Sequence, residues 1–113
     1  MKYMLLIYRD EAAFQAPMPG SGPSAPYLAY SKALEDAAVR LDGSRLQSSV
    51  SASTVRVRDG HTEILDGPYA ETREQLGGYY LIDVPDLTAA LDWAARCPAA
   101  GQGIIEVRPL VEV

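Results

Sequence analysis

Cysteine and histidine are nearly missing from this 113-residue chain, which holds one of each, and there is one tryptophan and one phenylalanine. A single cysteine excludes an internal disulfide and agrees with a reducing compartment. With one His and one Cys, no nitrogen–sulfur metal site can form within one chain. An all-carboxylate site stays open in principle, but no ligand loop is visible. Basic residues are the minority: ten Lys and Arg face fifteen Asp and Glu, for a net charge of −5. The cations are scattered, and an acidic chain without a basic patch repels phosphate backbones, so nucleic acid is not an expected partner. Long apolar runs are missing too. Met4–Tyr8 is closed at once by Arg9-Asp10-Glu11, well short of a signal-peptide core or the roughly 20 residues of a membrane span. The expectation is a soluble, cytoplasmic protein with no membrane association.

What remains is an ordinary globular composition, 48% hydrophobic and 22% charged. The length suits one domain over residues 1–113, able to bury roughly 60–70% of the surface its unfolded form exposes. No internal repeat or linker interrupts it.

Lys2 to Tyr8 is apolar on both alternating sets, which predicts a central strand covered on both faces. Ala16 to Pro26 holds four prolines and two glycines and reads as a loop. Tyr27 to Leu41 carries apolar residues at helical spacing (27, 30, 34, 37, 38 and 41), with Gly43 as its stop. Ser44 to Ser51 is a weaker strand. Thr54–Arg58 and His61–Leu65 flank Asp59-Gly60, a strong signal for a two-residue hairpin turn. That register sets Arg56 opposite Glu63 and Arg58 opposite His61, leaving Val55, Val57, Thr62 and Ile64 as the apolar face. A turn at Asp66-Gly67-Pro68-Tyr69, a polar stretch from Ala70 to Leu76 and a strand at Gly78–Val84 follow. Asp86 is the expected N-cap of a helix with Leu87, Ala90, Leu91 and Ala94 buried, ended by Pro98. Ile104–Arg108 is the last strand.

This order fits an α+β split β-α-β arrangement with an added β-hairpin: an antiparallel sheet with helices on one face. Strands apolar on both sides then need a cover for the other face, and a second copy of the sheet supplies it, giving a two-fold homodimer.

The run from Asp66-Gly67-Pro68-Tyr69-Ala70-Glu71-Thr72-Arg73 through Gly77-Gly78-Tyr79-Tyr80 to Val84 resembles the signature of DGPF-domain proteins within the YCII-related family. Tyr69 stands where the family usually has Phe. The opening Met1–Tyr8, the piece Trp93-Ala94-Ala95-Arg96-Cys97-Pro98 and the close Glu106-Val107-Arg108-Pro109 are similar as well. The resemblance implies a ferredoxin-like fold of the dimeric α/β-barrel superfamily with a cleft near the dimer interface. It also implies two settings. Some members accompany sigma factors of the extracytoplasmic-function type, and others act on small molecules, including a dehalogenase using a His–Asp pair with the His on the first helix. The helix of this chain has no His there, offering Tyr30 and Ser31 instead, so that dyad does not carry over.

Asp66 ends an apolar hairpin face, where a carboxylate can act as general acid or base; its plainer role is to hold the Gly67-Pro68 turn. Glu71 and Arg73 follow, and with Tyr69 they make a loop site on a rigid sheet, although such charges more often pair with each other. Tyr8 and Tyr80, on central strands, are ligand-lining candidates or interface filler. His61, beside the hairpin turn, reads as solvated unless a partner brings it to a cleft. Cys97 reads as a small buried residue before a reactive thiol. Gly77-Gly78 lacks phosphate-loop spacing and reads as a bend into the strand.

The expected function is a small-molecule binding protein or an acid–base enzyme needing no cofactor or metal, with its cleft beside the Asp66 turn. The alternative is a non-catalytic interaction module whose partner is a sigma factor.

Overall fold

The computed structural model describes residues 1–12, 22 and 24–112. The elements run β1 (Lys2–Asp10), α1 (Ala25–Asp36), β2 (Arg40–Arg45), a 3-10 turn (Ser49–Ser51), β3 (Ser53–Arg58) and β4 (His61–Asp66). They continue with β5 (Glu74–Asp83), α2 (Leu87–Arg96), a second 3-10 turn (Pro98–Gly101) and β6 (Ile104–Pro109). Four strands form an antiparallel sheet in the order β2-β5-β1-β6, and β3 with β4 makes a separate two-stranded ribbon. Without the ribbon, the remaining elements are a βαββαβ chain, so the fold is α+β and ferredoxin-like. As their two-sided apolarity predicts, β1 and β5 are the two central strands.

Tyr3, Leu5 and Ile7 of β1 and Tyr80, Ile82 and Val84 in and after β5 face the helices. They pack with Tyr30 and Leu34 of α1 and Ala90 and Ala94 of α2. Leu5, Leu34 and Ile82 are fully enclosed. Asp86 caps α2 as expected, its Oδ1 accepting from the Ala89 amide at 2.9 Å. Met4, Leu6, Tyr79 and Leu81 alternate to the opposite face, which is only half-buried and carries no helix among the described residues.

Three expectations about the middle of the chain need correction. The first helix ends at Asp36 and not at Leu41, because Ala38 takes a left-handed conformation (φ 59°) and turns the chain out. The Ala38 amide donates to Glu35 O and that of Val39 to Leu34 O, which satisfies the last carbonyls. Gly43 therefore lies inside β2 and stops nothing. The strand expected at Ser44–Ser51 lies earlier, at Arg40–Arg45, since it pairs with β5, and Ser49–Ser51 is a 3-10 turn. Of the loop expected at Ala16–Pro26, residues 16–21 and 23 lie outside the described residues, and Ala25 and Pro26 already belong to α1.

The hairpin has the expected register, with Arg56 opposite Glu63 and Arg58 opposite His61. Asp59 (φ 49°) and Gly60 (φ 77°) both take positive φ, the primed turn that matches strand twist. Its apolar face is not packed, however: Val55, Val57 and Ile64 are each more than 60% exposed.

Candidate functional site

A cavity of about 190 Å³ opens between α1 and the helix-facing side of the sheet. Gly43, Gly77 and Gly78 are among its lining residues, and neighbouring strands approach all three closely: the Tyr80 ring over Gly43, the Arg9 side chain over Gly77 and the Ser44 carbonyl over Gly78. A Cβ on Gly77 would come within 2.7 Å of Arg9 Nε, and one on Gly43 within 2.7 Å of the Tyr80 ring.

Two β-bulges set which residues meet there. On β5, Gly78 pairs with Ile7 and Leu76 with Tyr8, so Gly77 is the extra residue. On β2, Arg40 pairs with Ile82 and Asp42 with Leu81, so Leu41 is extra. A bulge shifts alternation by one and redirects side chains. The shift on β2 brings Arg40, Gly43 and Arg45 to one face, where they meet Ile7 and Arg9 of β1 and Tyr27 and Ser31 of α1. Asp42 is sent to the other face, where it accepts from Tyr79 Oη at 3.1 Å.

Inside, Ser31 Oγ and Tyr80 Oη share a hydrogen bond of 3.1 Å. Arg40 reaches Glu35 and the Gly43 carbonyl, both at 3.4 Å. Its Nε is shut away from solvent without a hydrogen-bond partner among the described residues. Burial pushes the Tyr27 phenol above its ordinary value, nearby Cys97 adds to that, and the Arg9 guanidinium opposes it. The Tyr27 phenol beside Arg9 thus stays neutral at physiological pH.

A second, wider cleft of about 550 Å³ lies at the Asp66 turn, bordered by Asp10, Glu11, Asp66, Glu71 and Arg73. Glu11 is engaged in structure: it accepts from the Ser49 amide at 2.8 Å and from Ser49 Oγ at 2.6 Å. Arg73 Nε is 2.8 Å from Asp10 Oδ2. Asp66 is exposed. The turn after it is held by other groups, Gly67 N donating to Ala52 O and Thr54 Oγ1 to Gly67 O.

The residues singled out in the sequence therefore separate. Asp66, Glu71 and Arg73 share the open cleft, while Tyr80 lines the enclosed cavity. Tyr69 is 90% exposed and borders neither. Tyr8 alternates to the far face of the sheet, and His61 sits exposed in the hairpin beside its turn. Cys97 is buried, and desolvation holds its thiol above the ordinary value, the state of a packed residue and not of a reactive thiolate. Sequence reasoning missed Arg9, Arg40, Arg45, Tyr27 and Ser31 as a group. The paired glycines were the signal that pointed to them, since glycine inside a strand marks close approach.

The family model for the YCII-related domain matches residues 1–113. The chain belongs to that family. An uncharacterized protein of Rhizobium meliloti (strain 1021) is 48% identical to this YCII-related chain over 68 residues. The match takes in 58% of this chain and 55% of that relative, so it spans about half the relative's length. This YCII-related domain places Ser31 of α1 in the cavity, hydrogen-bonded to Tyr80. Among the described residues no cluster of three or more His, Cys, Asp or Glu side chains could hold a metal ion. No helix among them is long and apolar enough to cross a membrane.

Proposed function

We propose that this YCII-related domain is a small-molecule binding protein of the cytoplasm, acting as a homodimer, whose ligand occupies the cavity beneath α1. One observation carries this reading: polar groups from α1, β1, β2 and β5 converge on a single chamber whose lining includes three glycines. Convergent polar groups in a partly apolar pocket are the usual form of a small-ligand site. The homodimer is supported by the far face of the sheet, where Met4, Leu6 and Leu81 are only half covered within one chain.

A protein-observed NMR screen of small metabolites tests the reading. Ligands should perturb Tyr27, Ser31 and Tyr80, and Ser31→Phe, which fills the chamber, should abolish those perturbations while the fold persists. Ligands that bind Ser31→Phe equally well would refute the assignment of the chamber.

The Asp66 cleft supports a second reading, as an acid–base centre, because three carboxylates besides Asp66 border it. Loss of turnover in Asp66→Asn, with chamber binding intact, would favour it. If nothing small binds at either place, the non-catalytic module with a sigma-factor partner gains, and a pull-down that includes such a factor decides.

A further inference from the structure

We infer that the β3–β4 ribbon is an intersubunit arm, whose apolar face of Val55, Val57 and Ile64 packs against a second copy of this chain. This rests on the homodimer reading above and names the segment that completes its interface.

The two faces of the ribbon differ in chemistry. Strand pairing sets Val55 beside Ile64 and Val57 beside Thr62 on one face, and Arg56 beside Glu63 and Arg58 beside His61 on the other. The polar face is suited to water, and Arg56 and Glu63 form an ion pair of 3.1 Å on it. The apolar face is left bare by every described element of its own chain. Two strands alone are marginal in water, so such a ribbon draws stability from something it packs on. Its base, however, is firmly built. Gly67 N donates to Ala52 O at 2.6 Å and Thr54 Oγ1 to Gly67 O at 2.8 Å. Glu11 fixes the preceding turn through the Ser49 amide and hydroxyl. The ribbon therefore stands out from the body in a set direction. The shape agrees: the radius of gyration is 15.8 Å and the longest axis 46 Å, where a compact chain of this length has a radius of about 13 Å.

Interface area selects the occupant. The open sheet face comprises nine residues of β1, ten of β5 and six each of β2 and β6. At roughly 16 Å² of sheet per residue it spans about 500 Å², short of the roughly 800 Å² each partner gives to a stable dimer. Its outer strands are also charged, with Asp42 on β2, and Glu106 and Arg108 on β6 beside Leu6 and Met4. The two six-residue strands of the ribbon add about 200 Å², which brings each copy near the required size. Charge permits the contact. Residues 54–65 hold Arg56 and Arg58 against Asp59 and Glu63, so the arm is neutral in a chain of net charge −5. It can approach an acidic second copy without repulsion, and it offers phosphate backbones no positive field.

The experiment mixes equal amounts of isotope-labelled and unlabelled chain, so that filtered NOE spectra record only contacts between copies. Methyl groups of Val55, Val57 and Ile64 should show such contacts. In sedimentation equilibrium, Val57→Asp with Ile64→Asp should raise the dimer Kd about a hundredfold or more, because each side chain is buried twice per dimer. Should the aspartates disorder the ribbon, Val57→Thr with Ile64→Thr keeps the β-branched strand preference and should still raise Kd about tenfold. Methyl signals of Leu5 and Ile82 in the core should stay in place, which separates a lost contact from a lost fold.

A wild-type dimer whose arm methyls show no contact between copies, with Kd unchanged in both variants, would overturn the arm and leave the homodimer standing. Arm methyls covered only when a sigma factor is added would give the face to that partner and overturn the inference. A monomeric wild type at micromolar concentration would overturn the arm and the homodimer together.

Discussion

The Tyr80 ring lies over Gly43 so closely that a Cβ at position 43 would sit 2.7 Å from Tyr80 Cδ1 and 3.2 Å from the Tyr79 carbonyl oxygen. One neighbour is a side chain that can turn; the other is backbone in the central strand and cannot. Gly43→Ala is therefore expected to tilt Tyr80, disturb its 3.1 Å bond to Ser31 and destabilise the fold by about 1–3 kcal/mol. Urea unfolding measures the loss, and ligand titration should show the chamber closed. Unchanged stability would mean the sheet edge gives way more easily than the contacts imply.

Tyr30 ties the two helices together, its hydroxyl donating to the Trp93 carbonyl at 2.7 Å. Burial, then nearby Cys97 and Tyr80, raise its pKa well above the ordinary value of 10.0. Below that value the phenol is protonated in both folded and unfolded chains, and folding is indifferent to pH on its account. As pH rises through about 10, the unfolded chain loses the proton while the folded one keeps it, so stability falls. The melting temperature should drop between pH 9.5 and 11, to roughly the extent this shift allows. Tyr30→Phe should flatten that drop and cost about 1 kcal/mol at neutral pH through the lost hydrogen bond. A wild-type profile flat to pH 11 would contradict the burial argument.

Ala38 leaves α1 at φ 59°, where a Cβ is unfavourable. Glycine there removes the strain but gives the unfolded chain more freedom, so the two effects partly cancel. The net expectation for Ala38→Gly is a gain of about 0.5–1 kcal/mol, visible as a higher midpoint in denaturant with an unchanged slope. A lower midpoint would show that the turn tolerates alanine without strain.

Leu81 sits on the sheet face that no described helix covers. If a second copy covers that face, Leu81→Arg should halve the mass in sedimentation while far-ultraviolet circular dichroism is retained. The same mass for both proteins would place the dimer interface elsewhere, or deny it.

Much of the fold was legible because its signals are local. Asp59-Gly60 accepts positive φ, so the hairpin register followed from two residues. Asp86 ahead of Leu87 announced the start of α2, and the carboxylate makes the cap it was expected to make. The two central strands could be recognised because residues on both their faces are apolar. The candidate chamber was hidden because period-two alternation was broken twice. Extra residues Leu41 and Gly77 each shift a strand by one; the Gly77-Gly78 pair hinted at the second shift, and nothing around Leu41 marked the first. Arg40 was also assigned to a helix, since Ala37, Ala38 and Leu41 continue a helical stripe that the left-handed Ala38 interrupts.

By itself the sequence determined the α+β ferredoxin-like class, the hairpin and its turn, the cap of α2 and the YCII-related family. The α+β class, the hairpin and the cap rest on short-range backbone preference or on periodicity, which neighbouring residues fix; the family and the ferredoxin-like fold rest on the resemblance carried by the run from Asp66 to Val84. Only the tertiary structure decided that Arg9, Arg40 and Arg45 face one space while Asp66, Glu71 and Arg73 border another. That division depends on strand pairing between residues as distant as Ile7 and Gly78, 71 positions apart, and on two bulges whose placement is set by register. Which side chains meet is a property of the assembled sheet, because pairing and not sequence distance brings them within reach.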